Sequence, residues 1–188
     1  MAKKSKKVDM ILDVAIELLR SEGDYGVTMR KVASIADMSL SNVQYYFKTK
    51  DELLKAMADR YFQQCLEEVA SYPILDKQED LKPLLARFLS HGHELSDMCR
   101  IFREYWAIST RNETVDDYLR EYYCSMVALT QDKLRPLAAC ETSLSKAVSV
   151  LIPFVEGYTI SAKSLSHDLQ SMIATLDTIL LEILSSEL

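Results

Sequence analysis

At 188 residues with 48% apolar content, the chain is long enough to bury one or two real hydrophobic cores. Only four Gly and four Pro occur, which favours long helices with short connections, and 27% charged residues with that much apolar content exclude a disordered chain. The net charge of -6 is unevenly spread: residues 1–60 hold eleven Lys/Arg against nine Asp/Glu, leaving eleven against nineteen for the rest. A mildly basic head on an acidic body is expected, so whole-chain charge does not exclude a polyanionic partner. No apolar run approaches the roughly 18 residues of a membrane span, so no membrane partner is expected. The first apolar stretch, 8–19, is broken by Asp9, Asp13 and Glu17 and reads as a helix rather than a secretion signal. Cys65, Cys99, Cys124 and Cys140 form no C-x-x-C pair. Reduced thiols, no structural metal and a cytoplasmic location are the corresponding expectation.

In chain order, residues 1–7 (MAKKSKK) read as a short basic arm, either a solvated tail or a phosphate contact. Val8, Ile11, Leu12, Ala15, Leu18 and Leu19 recur at helical spacing and predict a helix over 8–21, ended by Glu22-Gly23-Asp24-Tyr25-Gly26 with a glycine as the stop. Thr28 is expected to cap a short helix over 29–36, Asp37-Met38 to turn the chain, and Ser39 to cap a third helix over 40–47. Two short helices joined by such a turn are the helix-turn-helix pattern. Thr49 with Glu52 predicts a capping box for a fourth helix over 50–72, which Pro73 would end. Further helices are expected near 79–92, 95–110, 114–136, 142–164 and 167–186, with Pro83 in a first turn, Pro136 as a terminator and Pro153 as a kink. The fold class is therefore all-α, with about nine helices. A three-helix head (1–50) joins through the continuous helix 50–72 to a helical body (51–188).

The third helix is small enough for a major groove and carries short hydrogen-bonding side chains: Ser39, Ser41, Asn42, Gln44 and Tyr45. Asn and Gln can pair bidentately with adenine edges, whereas Ser tolerates several bases. Arg30, Lys48 and Lys50 flank it and suit phosphates, to which Thr28, Tyr45 and Tyr46 can also donate. Val43 and Phe47 are expected to face inward. The segment Thr28 to Leu54, with its capped helix, turn, Ser39, the run Tyr45-Tyr46-Phe47, Lys50 and then Asp51-Glu52-Leu53-Leu54, resembles the DNA-binding signature of the tetracycline-repressor (TetR) family. The resemblance covers residues 8–60. It implies a ligand-responsive regulator, most simply a repressor, that reads double-stranded DNA through Thr28, Arg30, Ser39, Leu40, Ser41, Asn42, Gln44, Tyr45, Tyr46, Lys48 and Lys50. Asp37 and Ser41 stand where the family usually has Gly or Ala, and Gln44 where many members have Tyr, which points to an altered base preference.

In the body, the two last helices carry more apolar residues than one core-facing stripe needs. A homodimer through Leu151, Val155, Leu169, Met172, Leu176, Ile179 and Ile183 is the expected outlet. Two-fold symmetry would make the operator an inverted repeat with half-sites about 34–36 Å apart. The family resemblance implies a small-molecule cavity in the body. Phe62, Phe88, Phe102, Trp106, Tyr122, Met126, Phe154 and Tyr158 are the candidate lining, with ordinary core packing as the alternative. Phe102-Arg-Glu-Tyr-Trp-Ala, Arg111-Asn112-Glu113 and Phe154-Val-Glu-Gly157 also resemble, more loosely, the body of betaine-regulator-like members. The effector's identity is not specified by these residues. His91 and His93 lie about 200° apart on a helix, which is poor for shared chelation. Glu67-Glu68 and Asp116-Asp117 are sequence neighbours pointing apart, no Glu-x-x-His occurs, and no phosphate-cradling glycine loop is present. No cofactor or catalytic residue is expected; a helical scaffold protein or an all-α enzyme is the alternative.

Overall fold

The structure is a computed structural model describing residues 2–94 and 96–187, with side chains described from residue 6 onward. Among the described residues it contains nine α-helices and no strand: α1 (Ala2–Glu22), α2 (Met29–Ile35), α3 (Leu40–Tyr46), α4 (Lys50–Ser71), α5 (Leu81–Glu94), α6 (Asp97–Ser109), α7 (Glu113–Leu134), α8 (Glu141–Ser161) and α9 (Leu169–Ser185). Short 3-10 turns at Asp24–Gly26, Gln78–Asp80, Arg135–Leu137 and Ala162–Ser164 punctuate them. The backbone of the expected basic arm continues α1 instead of standing apart; Met1 and the side chains of residues 2–5 lie outside the described residues. No helix among the described residues is long and apolar enough to cross a membrane.

Local chemistry explains the helix ends. Pro136 occupies the 3-10 turn into which α7 runs out. Before Pro73, the buried Lys133 ammonium donates to the carbonyls of Ala70 (2.8 Å) and Tyr72, satisfying acceptors that the end of α4 would otherwise orphan. Asp168 caps α9 by accepting from the Ser171 N–H at 2.8 Å. At the head of α8, the Ser143 hydroxyl accepts from the Cys140 N–H at 3.2 Å, while the Cys140 thiol faces the Ser143 N–H.

The chain forms two compact units. One comprises the chain through Gln64 together with Arg100–Tyr122. Its core is built from Ile11, Leu12, Leu18 and Leu19 of α1, Val32 and Ala33 of α2, Val43 of α3, Leu53, Leu54 and Met57 of α4, and Ile101, Tyr105 and Ile108 of α6. The other comprises Cys65–Cys99 and the chain from Tyr123 onward. Its core is a leucine-rich packing of α5, α8 and α9 around Leu85, Leu89, Leu151, Leu176 and Leu180. Close approach of α5 to α8 requires Gly92. A Cβ built there would lie 2.9 Å from the Thr159 Cα and 3.2 Å from its backbone nitrogen. Backbone cannot swing away as a side-chain tip can, so overpacking of about 1–3 kcal/mol exceeds the roughly 1 kcal/mol of helix propensity that alanine would add. Gly92→Ala should therefore lower the melting temperature by about 2–6 °C in calorimetry; an unchanged or raised value would contradict this packing.

Candidate nucleic-acid interface

Helices α2 and α3 have seven residues each, far below the length at which a helix persists in water on propensity alone. Both are held by caps and a buried side. The Thr28 hydroxyl accepts from the Lys31 N–H at 3.2 Å, and the Ser39 hydroxyl from the Asn42 N–H at 3.2 Å. Asp37 takes φ 51, among the described residues the single non-glycine with positive φ. Around it, Met38 N–H reaches the Ala33 carbonyl at 2.9 Å and Asp37 N–H the Ser34 carbonyl at 3.4 Å, the paired bonds of a Schellman ending. The turn that usually carries glycine is made here by an aspartate, a residue that tolerates this region better than most.

With Val43 and Phe47 buried beneath it, α3 turns Ser41, Gln44 and Tyr45 outward, Tyr45 with 71% of its surface exposed. Leu40, Asn42 and Tyr46 are half-buried on its flanks, and the Tyr45 and Tyr46 rings meet edge-on at 5.1 Å. Thr28, Arg30, Ser39 and Lys48 are also exposed. Ser39 and Ser41 share a hydroxyl–hydroxyl hydrogen bond at 3.0 Å, which pre-orients both. Ser41, Gln44 and Tyr45, at i, i+3 and i+4, thus share one exposed side of α3 opposite its buried base. The Thr49 hydroxyl caps α4 through the Glu52 N–H at 3.1 Å, but the Glu52 carboxylate accepts from Lys48 N–H (2.7 Å), one residue earlier than a capping box requires.

Lys50 is placed differently from its sequence expectation. Its ammonium donates to the Asp24 carbonyl at 2.7 Å and pairs with the Asp24 carboxylate at 2.7 Å, so it tethers the 3-10 turn to α4 instead of standing free for a phosphate. The second Asp24 oxygen pairs with Arg111 at 2.9 Å, and the Asp24 N–H donates to the Glu104 carboxylate at 3.1 Å. Burial acts to raise the pKa of Asp24, but the hydrogen bonds and charges of Lys50 and Arg111 outweigh it and hold the carboxyl below its ordinary 3.8. A depressed folded value means that this contribution to stability is present above 3.8 and lost as acid takes the solution through the folded value. Asp24, Glu104, Arg111 and Asn112 escaped the sequence reading of the site; the stretch around 102–113 stood out only as a family-like pattern.

The candidate effector residues fall into two groups. Phe62, Phe102 and Tyr122 belong to the first unit and pack ring to ring with Tyr105, Phe62 stacking on Phe102 at 5.0 Å and lying 4.8 Å from Tyr122. All four rings are buried, the Tyr105 hydroxyl donating to the Leu54 carbonyl at 2.9 Å, so they form core rather than the expected lining. Trp106 is 44% exposed. Phe88, Met126, Phe154 and Tyr158 belong to the second unit. There Phe154 stacks on Tyr158 at 6.2 Å, and Phe88 leans on Tyr72 at 6.1 Å. Also on α8, the half-buried Glu156 receives a hydrogen bond from Tyr123, and burial pushes its carboxyl up. His91 and His93 are both on α5: His91 lies 3.6 Å from Glu68, whereas His93 is exposed. Of the candidate interface residues, Leu151 and Leu176 are corrected to core of the second unit's own α5–α8–α9 packing. Val155, Leu169, Met172 and Ile183 are half-buried, and Ile179 stays exposed, as do Val150, Ile160 and Leu165.

The family model for bacterial regulatory proteins of the tetR family matches residues 11–57, the segment that holds α1 to α3 and the start of α4. An uncharacterized HTH-type transcriptional regulator encoded in the dhlA 5' region of Xanthobacter autotrophicus is 53% identical over 184 residues, spanning 96% of this chain and 91% of that protein. The chain belongs to the TetR family. As a TetR-family regulator it binds DNA through a helix-turn-helix, here α2 and α3. It is also 25% identical over 154 residues to the nicotine-responsive repressor HdnoR of Paenarthrobacter nicotinovorans, covering 76% of this chain and 77% of that one. The multidrug-binding protein EbrR, solved with ethidium, has the same fold, with a TM-score of 0.71, 23% identity and coverage of 96% and 99%. Within this regulator's helix-turn-helix, Asp37→Gly removes a left-handed penalty of about 1–2 kcal/mol and adds about 0.5–1 kcal/mol of unfolded-chain entropy. The expected result is a rise of about 1–2 °C in melting temperature; a fall would show that the aspartate side chain itself is needed in the turn.

Proposed function

We propose that the chain is a dimeric, cytoplasmic repressor that reads an inverted-repeat operator with α3 and is released by a small-molecule effector. The carrying observation is the surface of α3, where Ser41, Gln44 and Tyr45 are exposed and Asn42 is half-buried above a buried Val43–Phe47 base. In this reading Gln44 and Asn42 contact base edges, Arg30, Lys48, Thr28 and the tyrosines serve phosphates, and residues 1–50 work as the DNA-binding domain. The exposed Val150, Ile160, Leu165 and Ile179, with half-buried Val155, Leu169, Met172 and Ile183, supply the apolar surface for the partner subunit. A DNA-binding task, rather than catalysis, accounts for polar side chains gathered on a short convex helix. The wild-type protein should recover an inverted repeat from a random-sequence duplex pool and lose that binding steeply between about 50 and 200 mM salt. Combined Asn42→Ala and Gln44→Ala substitution should abolish specific retardation while leaving the circular-dichroism melt nearly unchanged. A doubly substituted protein with wild-type specificity would sink the assignment.

For the effector we favour a basic molecule received by the second unit at Glu156. A half-buried carboxylate that burial makes costly to ionise gains most from a cation, and Tyr123 already holds it by a hydrogen bond. Nicotine, to which HdnoR responds, and ethidium, which EbrR binds, are both basic or cationic nitrogen compounds. Titrating the protein with ethidium and with nicotine is the direct test. Binding by wild type, weakened tenfold or more in Glu156→Gln, is expected; no binding of either probe, or equal binding by both proteins, refutes a basic effector at Glu156.

A further inference from the structure

The 3-10 turn between α1 and α2 closes on itself: Gly26 N–H donates to the Gly23 carbonyl at 3.0 Å, Val27 N–H to that of Asp24 at 3.1 Å and Thr28 N–H to that of Gly26 at 3.1 Å. Gly23 leaves α1 with φ +71, and the turn that follows has three residues. What ties this small turn to the rest of its unit comes from far along the chain. Glu104, on α6, accepts from the Asp24 N–H at 3.1 Å, and its carboxylate fills the space beside Gly23, where an added Cβ would meet Oε2 at 3.0 Å. Arg111, in the corner between α6 and α7, takes one Asp24 oxygen at 2.9 Å, while Lys50, at the start of α4, takes the other at 2.7 Å. One residue on, Asn112 donates to Asp51 at 2.8 Å and caps α7 by accepting from the Val115 N–H at 3.1 Å. Asp24 keeps only 15% of its side-chain surface exposed. The α6–α7 corner therefore grips both ends of the helix-turn-helix: the turn that enters α2 and the first turn of α4 that leaves α3. None of these grips lies on the groove-reading surface of α3.

We propose that Glu104 and Arg111 are positioning residues for DNA recognition, holding α2 and α3 in the operator-competent orientation through Asp24 and the start of α4. This rests on the DNA-binding reading above, which gives α3 its task. A head without the clamp divides its time among orientations, and its apparent affinity falls by the fraction that remains competent. Arg111 is nearly half exposed, so water and salt weaken its bond to Asp24. The expected loss is about fivefold per head and about twenty-five-fold for a dimer gripping through two heads.

The experiment compares wild type, Arg111→Ala, Arg111→Lys and Glu104→Ala for binding to the duplex that wild type recovers from a random pool. Alongside it, backbone hydrogen exchange is followed at Gly26, Val27 and Thr28 in protein without DNA. Arg111→Ala should bind about five- to twenty-five-fold more weakly with Arg111→Lys intermediate. Its melting temperature should stay within about 2 °C, because an exposed arginine adds little to global stability. The slope of log affinity against log salt should stay that of wild type, because a positioning residue touches no phosphate. A slope smaller by about 0.9 would make Arg111 a phosphate contact and overturn the proposal, as would affinity within twofold of wild type. The three amides should exchange faster in Arg111→Ala and Glu104→Ala. Unchanged exchange overturns the proposal even if wild type recovers no duplex, an outcome that would separately defeat the DNA-reading assignment.

Discussion

Asp24 carries one charge and answers to two cations, and the geometry of the DNA-reading head depends on how that one residue is held. Two ion pairs on one carboxylate leave a local excess of positive charge, while Glu104, accepting from the same residue's N–H, brings a second carboxylate beside it. The set is locally balanced, two acids with two bases, and lies partly out of water. Fully exposed pairs are worth little, and fully buried ones seldom recover their desolvation cost; the intermediate position avoids both extremes. It also changes how the basic residues of the head are to be counted. Lys50 is occupied internally, and Lys31 pairs with Glu22, so fewer of the head's cations face outward than the sequence suggests.

The head is otherwise an assembly of pieces too short to stand alone. Seven-residue helices gain order only when their ends are satisfied and one side is covered. Thr28, Ser39 and Thr49 each satisfy an amide three residues ahead, and Val32, Ala33, Val43 and Phe47 supply the covered side. Stability and exposure are thus divided along the same seven residues of α3. What holds the helix is buried, and what is left outside is free to differ between regulators without cost to the fold.

That division explains what could be read from the sequence. Caps, turns and helix ends depend on neighbours within four or five residues, so Thr28, Ser39, Asp37 and the proline stops were legible, and helix limits agree within a few residues apart from α1. The partner of Lys50 lies 26 residues away and that of Arg111 lies 87 away, distances over which spacing carries no information. The apolar stripes were legible as stripes but not as destinations. Leu151 and Leu176 share their helical periodicity with residues left at the surface, and only the packing of α5, α8 and α9 separates them. Phe62, Phe102 and Tyr122 looked like cavity lining for the same reason: a ring at helical spacing does not say whether another ring fills the space before it.

The first unit is assembled from two stretches of chain that residues 65–99 of the other unit separate in sequence. Chimeric regulators are commonly imagined as a head from one protein joined to a sensor from another. A graft cut after residue 50 would carry Asp24 and Lys50 to a new body but leave behind Glu104, Arg111, Asn112 and the Leu54 carbonyl that Tyr105 engages. The transplanted helices would keep their caps and lose their footing. Transferable specificity in this fold therefore lies in the few outward side chains of α3, exchanged in place, and not in the head as a detachable part.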